Sequence, residues 1–407
     1  MARYDAIVVG ARCAGSPTAM LLARRGYRVL LVDRATFPSD TISTHMLHPL
    51  GVAALARWGI LGRLVASGCP PVHTYAFHFG PLTLSGAPGT AEFPVAYCPR
   101  RTVLDKLLLD AAGEAGAEVR EGFTVEEVVT EGGRVVGVKG RTRSGTAAER
   151  AEVVVGADGR HSLVAEAVRP EQYAERPPIL AGYYSYWEDL PMDGRFETFA
   201  LRRRGFAAAP THEGRTLVIA GWPFAEFEAN RRDVEGNYLA TLALAPEFAE
   251  RLRGATRVER IAGATVPNYF RKPYGPGWAL VGDAGYNKDP ITAQGIMDAF
   301  LDAERCVSAL DAAFGRGRPL QEAMQEYQRD RDEHVRSMYE FTCQLATLEP
   351  PPPEVWGLFR AIAGNQPAMD RFVQMNAGTI APADFFAPEN VRAMLSAGAP
   401  AQAPAPS

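Results

Sequence analysis

Tyr4-Asp-Ala-Ile-Val-Val-Gly10-Ala-Arg-Cys-Ala-Gly15-Ser-Pro-Thr decides how the rest of this 407-residue chain is read. Residues 4–9 are apolar and rich in β-branched side chains, as a strand buried on both faces requires. Gly10 to Gly15 makes the turn. Pro17 suits the first turn of a helix, residues 19–25 continue it, and Gly26 stops it. Residues 28–33 read as a second buried strand. Strand, glycine turn, helix and strand form a βαβ opening, which predicts a parallel sheet. Such a turn brings backbone N–H groups and the positive helix end toward a pyrophosphate, and Asp33 is placed to accept from a ribose hydroxyl. One position departs from Gly-x-Gly-x-x-Gly. Arg12 stands where the middle glycine lets the backbone approach the phosphates, so its side chain either swings out or pairs with them itself. The alternative is an ordinary strand-to-helix turn with no ligand.

Composition narrows the class. Hydrophobic residues make up 47% and charged residues 22%, values of a globular protein with a large core. Gly and Pro together are about 17%, below the roughly 25–30% of disordered chains. At about 150 residues per domain, the length predicts two to three structural units. A formal net charge of −4 argues against a nucleic-acid or anionic-membrane surface. Cys13, Cys69, Cys98, Cys306 and Cys343 are widely spaced, with no Cys-x-x-Cys pair. That speaks against a disulfide framework or a zinc knuckle and fits a reducing cytosol. The apolar stretch 6–31 is broken by four arginines, and no apolar run reaches the roughly 18 residues that span a bilayer. A cytoplasmic protein with no membrane or nucleic-acid partner is expected.

Beyond the opening, helices are expected over 49–58 and 102–115, with an irregular Pro- and Gly-rich stretch over 69–90. A hairpin within 118–140 turns at Gly132-Gly133. Residues 153–155 are another buried strand, running into Gly156-Ala157-Asp158-Gly159. From 177 to 266, short alternating aromatic and β-branched runs predict an antiparallel sheet, interrupted by a helical pattern over 226–253. Residues 278–281 form one more buried strand, followed by helices over 294–314 and 321–348. The Ala/Pro-rich end, 396–407, reads as a disordered tail. The expected fold class is α/β: a Rossmann-like domain with a parallel sheet, interrupted by an antiparallel-sheet domain, with a helical C-terminus. The expected boundaries are 1–75, 100–175 and 275–320 for the nucleotide-type domain, 76–99 and 176–274 for the inserted substrate domain, and 321–395 for the helical region.

Two further signals stand at strand ends. Trp278-Ala-Leu-Val-Gly282-Asp283-Ala284 leads to Asp289-Pro290 and then to Gln294-Gly295-Ile296 at a helix start. A carboxylate there can hold a chain of hydroxyls, and a helix N-terminus can stabilise negative charge on a ring edge. The other signal is Asp158-Gly159-Arg160 with Ser162. With these three motifs in order, the chain resembles the FAD-dependent monooxygenases of the aromatic-hydroxylase type, with geranylgeranyl reductases and flavin halogenases as wider relatives. The resemblance runs from about residue 4 to about 310. It implies that Gly10, Arg12 and Gly15 meet the pyrophosphate of FAD, and that Asp33, with neighbouring Arg34, binds the adenosine ribose. It also implies that Arg101 and Asp158 contact the cofactor, that Gly282-Asp283 holds the ribityl chain, and that Pro290, Gln294, Gly295 and Ile296 border the isoalloxazine. NAD(P)H is then a transient reductant with no fold of its own, and O₂ and a hydrophobic small molecule are the other partners.

Departures from the pattern bear on the flavin pocket. Gly285-Tyr286 replaces Ala-His, Ala293 a Gly and Met297 an Asn; Ala165 stands where an Arg is usual, which leaves the pyridine-nucleotide contact unsupported. The halogenase Trp-x-Trp-x-Ile-Pro motif and the prenyl-reductase Tyr-x-Trp-x-Phe-Pro pattern are absent, and none of the four lysines lies where a halogenase places its reactive one. His45-Met-Leu-His48 lacks a third ligand, so no metal is expected; His45 is the candidate catalytic residue, against a merely structural role. Tyr183, Tyr184, Tyr186, Trp187 and Trp222 either line an apolar pocket or fill a core. The expected activity is NAD(P)H- and O₂-dependent oxygenation of an aromatic or polyketide-like molecule. The alternative is a flavin-dependent reductase or dehydrogenase of a prenyl or other apolar substrate.

Overall fold

The structure, a computed structural model, describes residues 3–315 and 317–397. β1 (Tyr4–Val9) passes through the glycine turn into α1 (Gly15–Ala23) and β2 (Val29–Asp33). Next come α2 (Pro49–Arg57), β3 (Thr74–Phe79), β4 (Leu82–Gly86) and α3 (Arg101–Glu114). β5 (Glu118–Glu121), β6 (Thr124–Glu131), β7 (Arg134–Thr142) and β8 (Gly145–Gly156) follow. β5, β2, β1, β8 and the strand Trp278–Leu280 lie side by side in that order, all parallel. Val8 faces Val155 on one side and Leu31 on the other, so the valine-rich runs bury both faces of the sheet. β8 outgrows the expected three residues because its first half pairs antiparallel with β7, in a ribbon completed by β6.

The second layer starts after α4 (Leu163–Val168). β9 (Leu180–Glu188), β10 (Arg195–Leu201), β11 (Arg204–Pro210) and β12 (Thr216–Pro223) join β3 and β4 in one sheet, ordered β9-β12-β11-β10-β3-β4. Only β10 and β3 run parallel among these neighbours. The stretch 69–90 is therefore not irregular. Its prolines and glycines sit at strand ends, between the strands or beyond them, with the β3–β4 hairpin turning at Gly80-Pro81. The helical pattern over 226–253 resolves into short helices, of which α5 (Val234–Ala243) and α6 (Pro246–Leu252) cover one face of this sheet.

β13 (Trp278–Leu280) returns the chain to the parallel sheet, and α7 (Gly295–Phe314) packs against α1. α8 (Leu320–Leu345), α9 (Pro353–Ile362), α10 (Gln366–Asn376) and α11 (Pro388–Ala397) close the second sheet's other face. The fold is α/β, with parallel and antiparallel sheets and a helical C-terminus. The first two positions of the expected tail end α11; the rest of it, 398–407, lies outside the described residues. Among the described residues, no helix is long and apolar enough to cross a membrane.

Candidate functional site

The C-terminal ends of β1, β8 and β13 meet at one edge. Gly10 has φ +100°, and a Cβ there would stand 2.5 Å from the Ala157 carbonyl oxygen. A Cβ on Gly15 would stand 1.7 Å from the Gly10 carbonyl. Neither position tolerates a side chain, so the turn is held tight by absence of bulk. Asp33 holds the turn as well: Oδ2 accepts the Ala11 N–H at 2.7 Å and Oδ1 the Ala35 N–H at 2.8 Å. Arg12 swings out. Its guanidinium reaches Asp105 Oδ2 at 2.6 Å and the Ser39 carbonyl at 3.1 Å. Arg101 donates twice to the same carboxylate, at 3.0 Å each, and the Cys13 thiol sits 3.3 Å from it. Asp105, fully buried, thus gathers three groups beside the turn. Arg34 is exposed and away from this cluster's hydrogen bonds.

Asp158 is spent locally. Its carboxylate accepts the Leu163 and Val164 N–H groups at 2.7 and 3.3 Å and the Ser162 hydroxyl, fixing the start of α4. Asp283 differs. It is exposed on a turn whose other members, Gly282 and Ala284, are buried, so its carboxylate faces an accessible recess. The protein that encloses the recess holds its carboxyl above the usual range, with the Arg101 charge acting in the opposite direction. The turn is braced from behind. Asp302 Oδ2 accepts the Gly282 N–H at 2.8 Å, and the Tyr327 hydroxyl, with one proton to give, lies 2.7 Å from Asp302 Oδ1 and 2.8 Å from the Leu280 carbonyl. Arg331, 1% exposed, donates to the Gly285 carbonyl at 3.2 Å.

The segment after this turn approaches a large cavity. Pro290–Thr292 is one tight turn, Ala293 takes the left-handed region at φ +54°, and Gln294 precedes the first residue of α7. Gln294 Nε2 donates to the Asn376 carbonyl at 3.2 Å. Gly295 is exposed, and nothing lies within 4 Å of where its Cβ would be, so the N-terminus of α7 opens onto free space. Ile296 beside it is buried. The cavity, about 1300 Å³, is lined by Pro290 to Ala293, by Thr44, Met46 and His48, by the inner face of the second sheet, and by α8 and α9. Its aromatic wall includes Tyr75, Phe77, Phe196, Phe341, Trp356 and Phe372.

The five aromatic residues singled out from the sequence do not line it. Tyr183 and Trp187 point to the opposite face of β9, toward α5 and α6, and Trp222 stacks on Tyr183 with ring centroids 4.9 Å apart. Tyr184 and Tyr186 share the face of Leu180 and Gly182 but pack around His45. His45 is fully buried at φ +57°, with Nε2 at 2.5 Å from the Tyr186 hydroxyl, and its neighbours Thr44 and Met46 reach the cavity instead. Nδ1 has no partner of hydrogen-bonding geometry; the Pro99 carbonyl acts on the ring without closing one. Burial, with Arg101 and Arg100 adding to it, lowers the imidazole to about 3, so it is neutral at pH 7. His48 does reach the cavity. Its Nε2 lies 3.1 Å from the Thr292 carbonyl and its Nδ1 2.8 Å from the Tyr75 hydroxyl. A carbonyl only accepts, so Nε2 carries the proton and Nδ1 accepts from Tyr75. Burial lowers this imidazole too, to about 4. Sequence reasoning missed His48, Asp105 and Asp302 as supporting residues; only the His45-x-x-His48 spacing and the Arg101-x-x-Leu104-Asp105 run hinted at two of them.

A family model described as an FAD binding domain matches residues 3–342. The chain belongs to that family. It is similar to digeranylgeranylglycerophospholipid reductase 2 of Methanopyrus kandleri, 30% identical over 317 residues (73% of this chain, 74% of the relative). Tryptophan 2-halogenase of Chondromyces crocatus is 26% identical over 369 residues, 84% and 69% of the two chains. Among solved structures, the myxobacterial chondrochloren halogenase CndH matches with a TM-score of 0.79 at 25% identity, over 99% of each chain. PqsL of P. aeruginosa shares the fold with a TM-score of 0.71 at 22% identity, over 93% of this chain and 100% of that one. FAD fits what the residues offer: a turn too tight for any side chain, a recessed carboxylate for hydroxyl groups, and an open helix N-terminus beyond it.

Proposed function

We propose that this FAD-dependent oxidoreductase is a cytoplasmic monooxygenase that uses NAD(P)H and O₂ to oxygenate a large hydrophobic molecule, aromatic or polyketide-like. The observation that carries the reading is the apolar 1300 Å³ cavity walled at one side by Pro290 to Ala293, immediately before the open N-terminus of α7. Bound FAD supplies the redox chemistry and the route to O₂. Gly10 and Gly15, bare of side chains, let the pyrophosphate approach the turn; Asp33 and Arg34 take the adenosine end and Gly282-Asp283 the ribityl hydroxyls, while Arg101, held by Asp105, and Asp158, which fixes the start of α4, support the middle of the site through those contacts. Pro290, Gln294, Gly295 and Ile296 border the ring, and the helix end there favours negative charge on it. The phenyl and tyrosyl walls hold the substrate and exclude water. His45, neutral and enclosed by Tyr184 and Tyr186, acts as a positioning residue for the Thr44–His48 segment rather than as a proton carrier. In this reading residues 1–75, 100–175 and 275–320 bind the cofactor, and the remaining structured segments enclose the substrate.

A second reading, a flavin-dependent reductase of a prenyl-type substrate, is favoured by the name of the relative from Methanopyrus kandleri and by a cavity large enough for an extended apolar chain. Turnover under ¹⁸O₂ separates them. One labelled oxygen in the product, with substrate accelerating NAD(P)H oxidation, supports oxygenation. Equal turnover without O₂ and an unlabelled product would establish the reductase. A halide-dependent product would overturn both; none of the four lysines lines the cavity.

A further inference from the structure

Lys288 and Asp298 form a buried ion pair between the Asp283 turn and the first turn of α7. Nζ lies 2.5 Å from Oδ2, and the side chains are 5% and 10% exposed. Asp298 is the acid of the first helical turn, its N–H bonded to the Gln294 carbonyl at 2.9 Å. A carboxylate there weakens the positive field that the open helix end presents at Gly295, and the ammonium of Lys288 restores it. The other groups facing the pair are the Tyr286 ring, 5.2 Å from Nζ, and His334 on α8, on which both charges act. Both charges also act, with opposite sign, on Asp283, and Lys288 acts on His48. Their fields therefore span the groove from the recessed carboxylate to the cavity wall.

We propose that the Lys288–Asp298 pair sets the reduction potential of the bound FAD, an inference that rests on the cofactor reading given above. Two-electron reduction with uptake of one proton leaves a single negative charge on the isoalloxazine. In a poorly hydrated site the ammonium stabilises that charge and the carboxylate opposes it. The pair is thus a positioning element for charge, acting across the protein rather than touching substrate.

The test is a dithionite titration of the FAD-loaded protein against a reference dye. Lys288→Met should lower the midpoint potential, Asp298→Asn should raise it, and the double variant should return close to the parent. A tenfold change in the affinity ratio for reduced over oxidised cofactor corresponds to about 30 mV for a two-electron couple, and shifts of at least that size are expected for each single variant. A merely structural role would move both single variants the same way, which would overturn the proposal. So would three variants within twofold of the parent ratio. If Lys288→Met loses FAD, Asp298→Asn decides alone, because it keeps the ammonium and must raise the potential. A parent protein that binds no FAD would instead overturn the cofactor reading itself.

Discussion

Replacing Asp289 by Asn probes the loop that joins the Asp283 turn to the cavity. This carboxyl is 1% exposed. Oδ1 accepts the Ile291 N–H at 3.0 Å, while Oδ2 has no hydrogen-bond partner. Burial raises its pKa to about 7, the Ile291 and Leu180 amides offsetting only part of the effect. An aspartate in the unfolded chain ionises near 3.9. Between about pH 4 and 7 the unfolded chain has thus released a proton that the folded chain keeps, so stability falls as pH rises through that window and levels off above it. At about 1.4 kcal/mol per pH unit, the full cost of ionising Asp289 approaches roughly 4 kcal/mol. Asparagine escapes that cost but brings an amide to the place where Oδ2 finds no partner, which takes back roughly 1–3 kcal/mol. The expected outcome is a variant no more stable than the parent near pH 4.5 and about 1–3 kcal/mol more stable at pH 8. Urea unfolding of both proteins at saturating FAD measures this. A difference that does not change between pH 5 and pH 8, or a variant less stable at pH 8, would refute the reasoning.

Three further outcomes follow from the site. Asp283→Ala should weaken FAD retention about 10- to 150-fold, the worth of hydrogen bonds to a charged acceptor, read by fluorescence titration; unchanged affinity would remove it from the cofactor site. His45→Ala should lower turnover while leaving the shape of the pH profile between 5 and 8 unaltered, because the imidazole is already neutral there; loss of an inflection near pH 6 would restore an acid–base role. Ala207→Trp, on the cavity wall, should raise KM for a bulky substrate at least tenfold with the flavin spectrum intact; an unaffected KM would move the substrate elsewhere.

What the chain disclosed in advance depended on whether the physics was local. Gly10, Gly15 and Asp33 could be read because the turn, the helix start and the strand end lie within thirty residues, and each demands a particular residue type. Asp105 could not be read. Its value comes from Arg12 and Cys13, ninety residues away, and without them it is one more acid on a helix. The β3–β4 hairpin was hidden by prolines that lie at its ends and turn, where they cost no ladder bonds.

The cavity shows which of the two roles open to the aromatic residues they take, and why. Tyr183 to Trp187 form the densest aromatic run in the chain, but a strand sends successive side chains to opposite faces. One face of β9 meets α5 and α6, and the other reaches the cavity only at Leu180 and Gly182 before Tyr184 and Tyr186 close over His45. The actual wall is assembled from β3, β10, β11, α8, α9 and α10, six separate elements that each contribute one to three rings. No contiguous stretch carries that signal. The same holds for His48, which sequence spacing could not rank above His45. What separates them is tertiary: the carbonyl of Thr292 on one side and the hydroxyl of Tyr75 on the other, which tie the residue to both the cofactor-side loop and the second sheet. In the proposed reading His48 couples the substrate cavity to the cofactor-side loop, so a variant such as His48→Phe should disturb both substrate and cofactor binding, whereas changes at the far wall should disturb substrate alone.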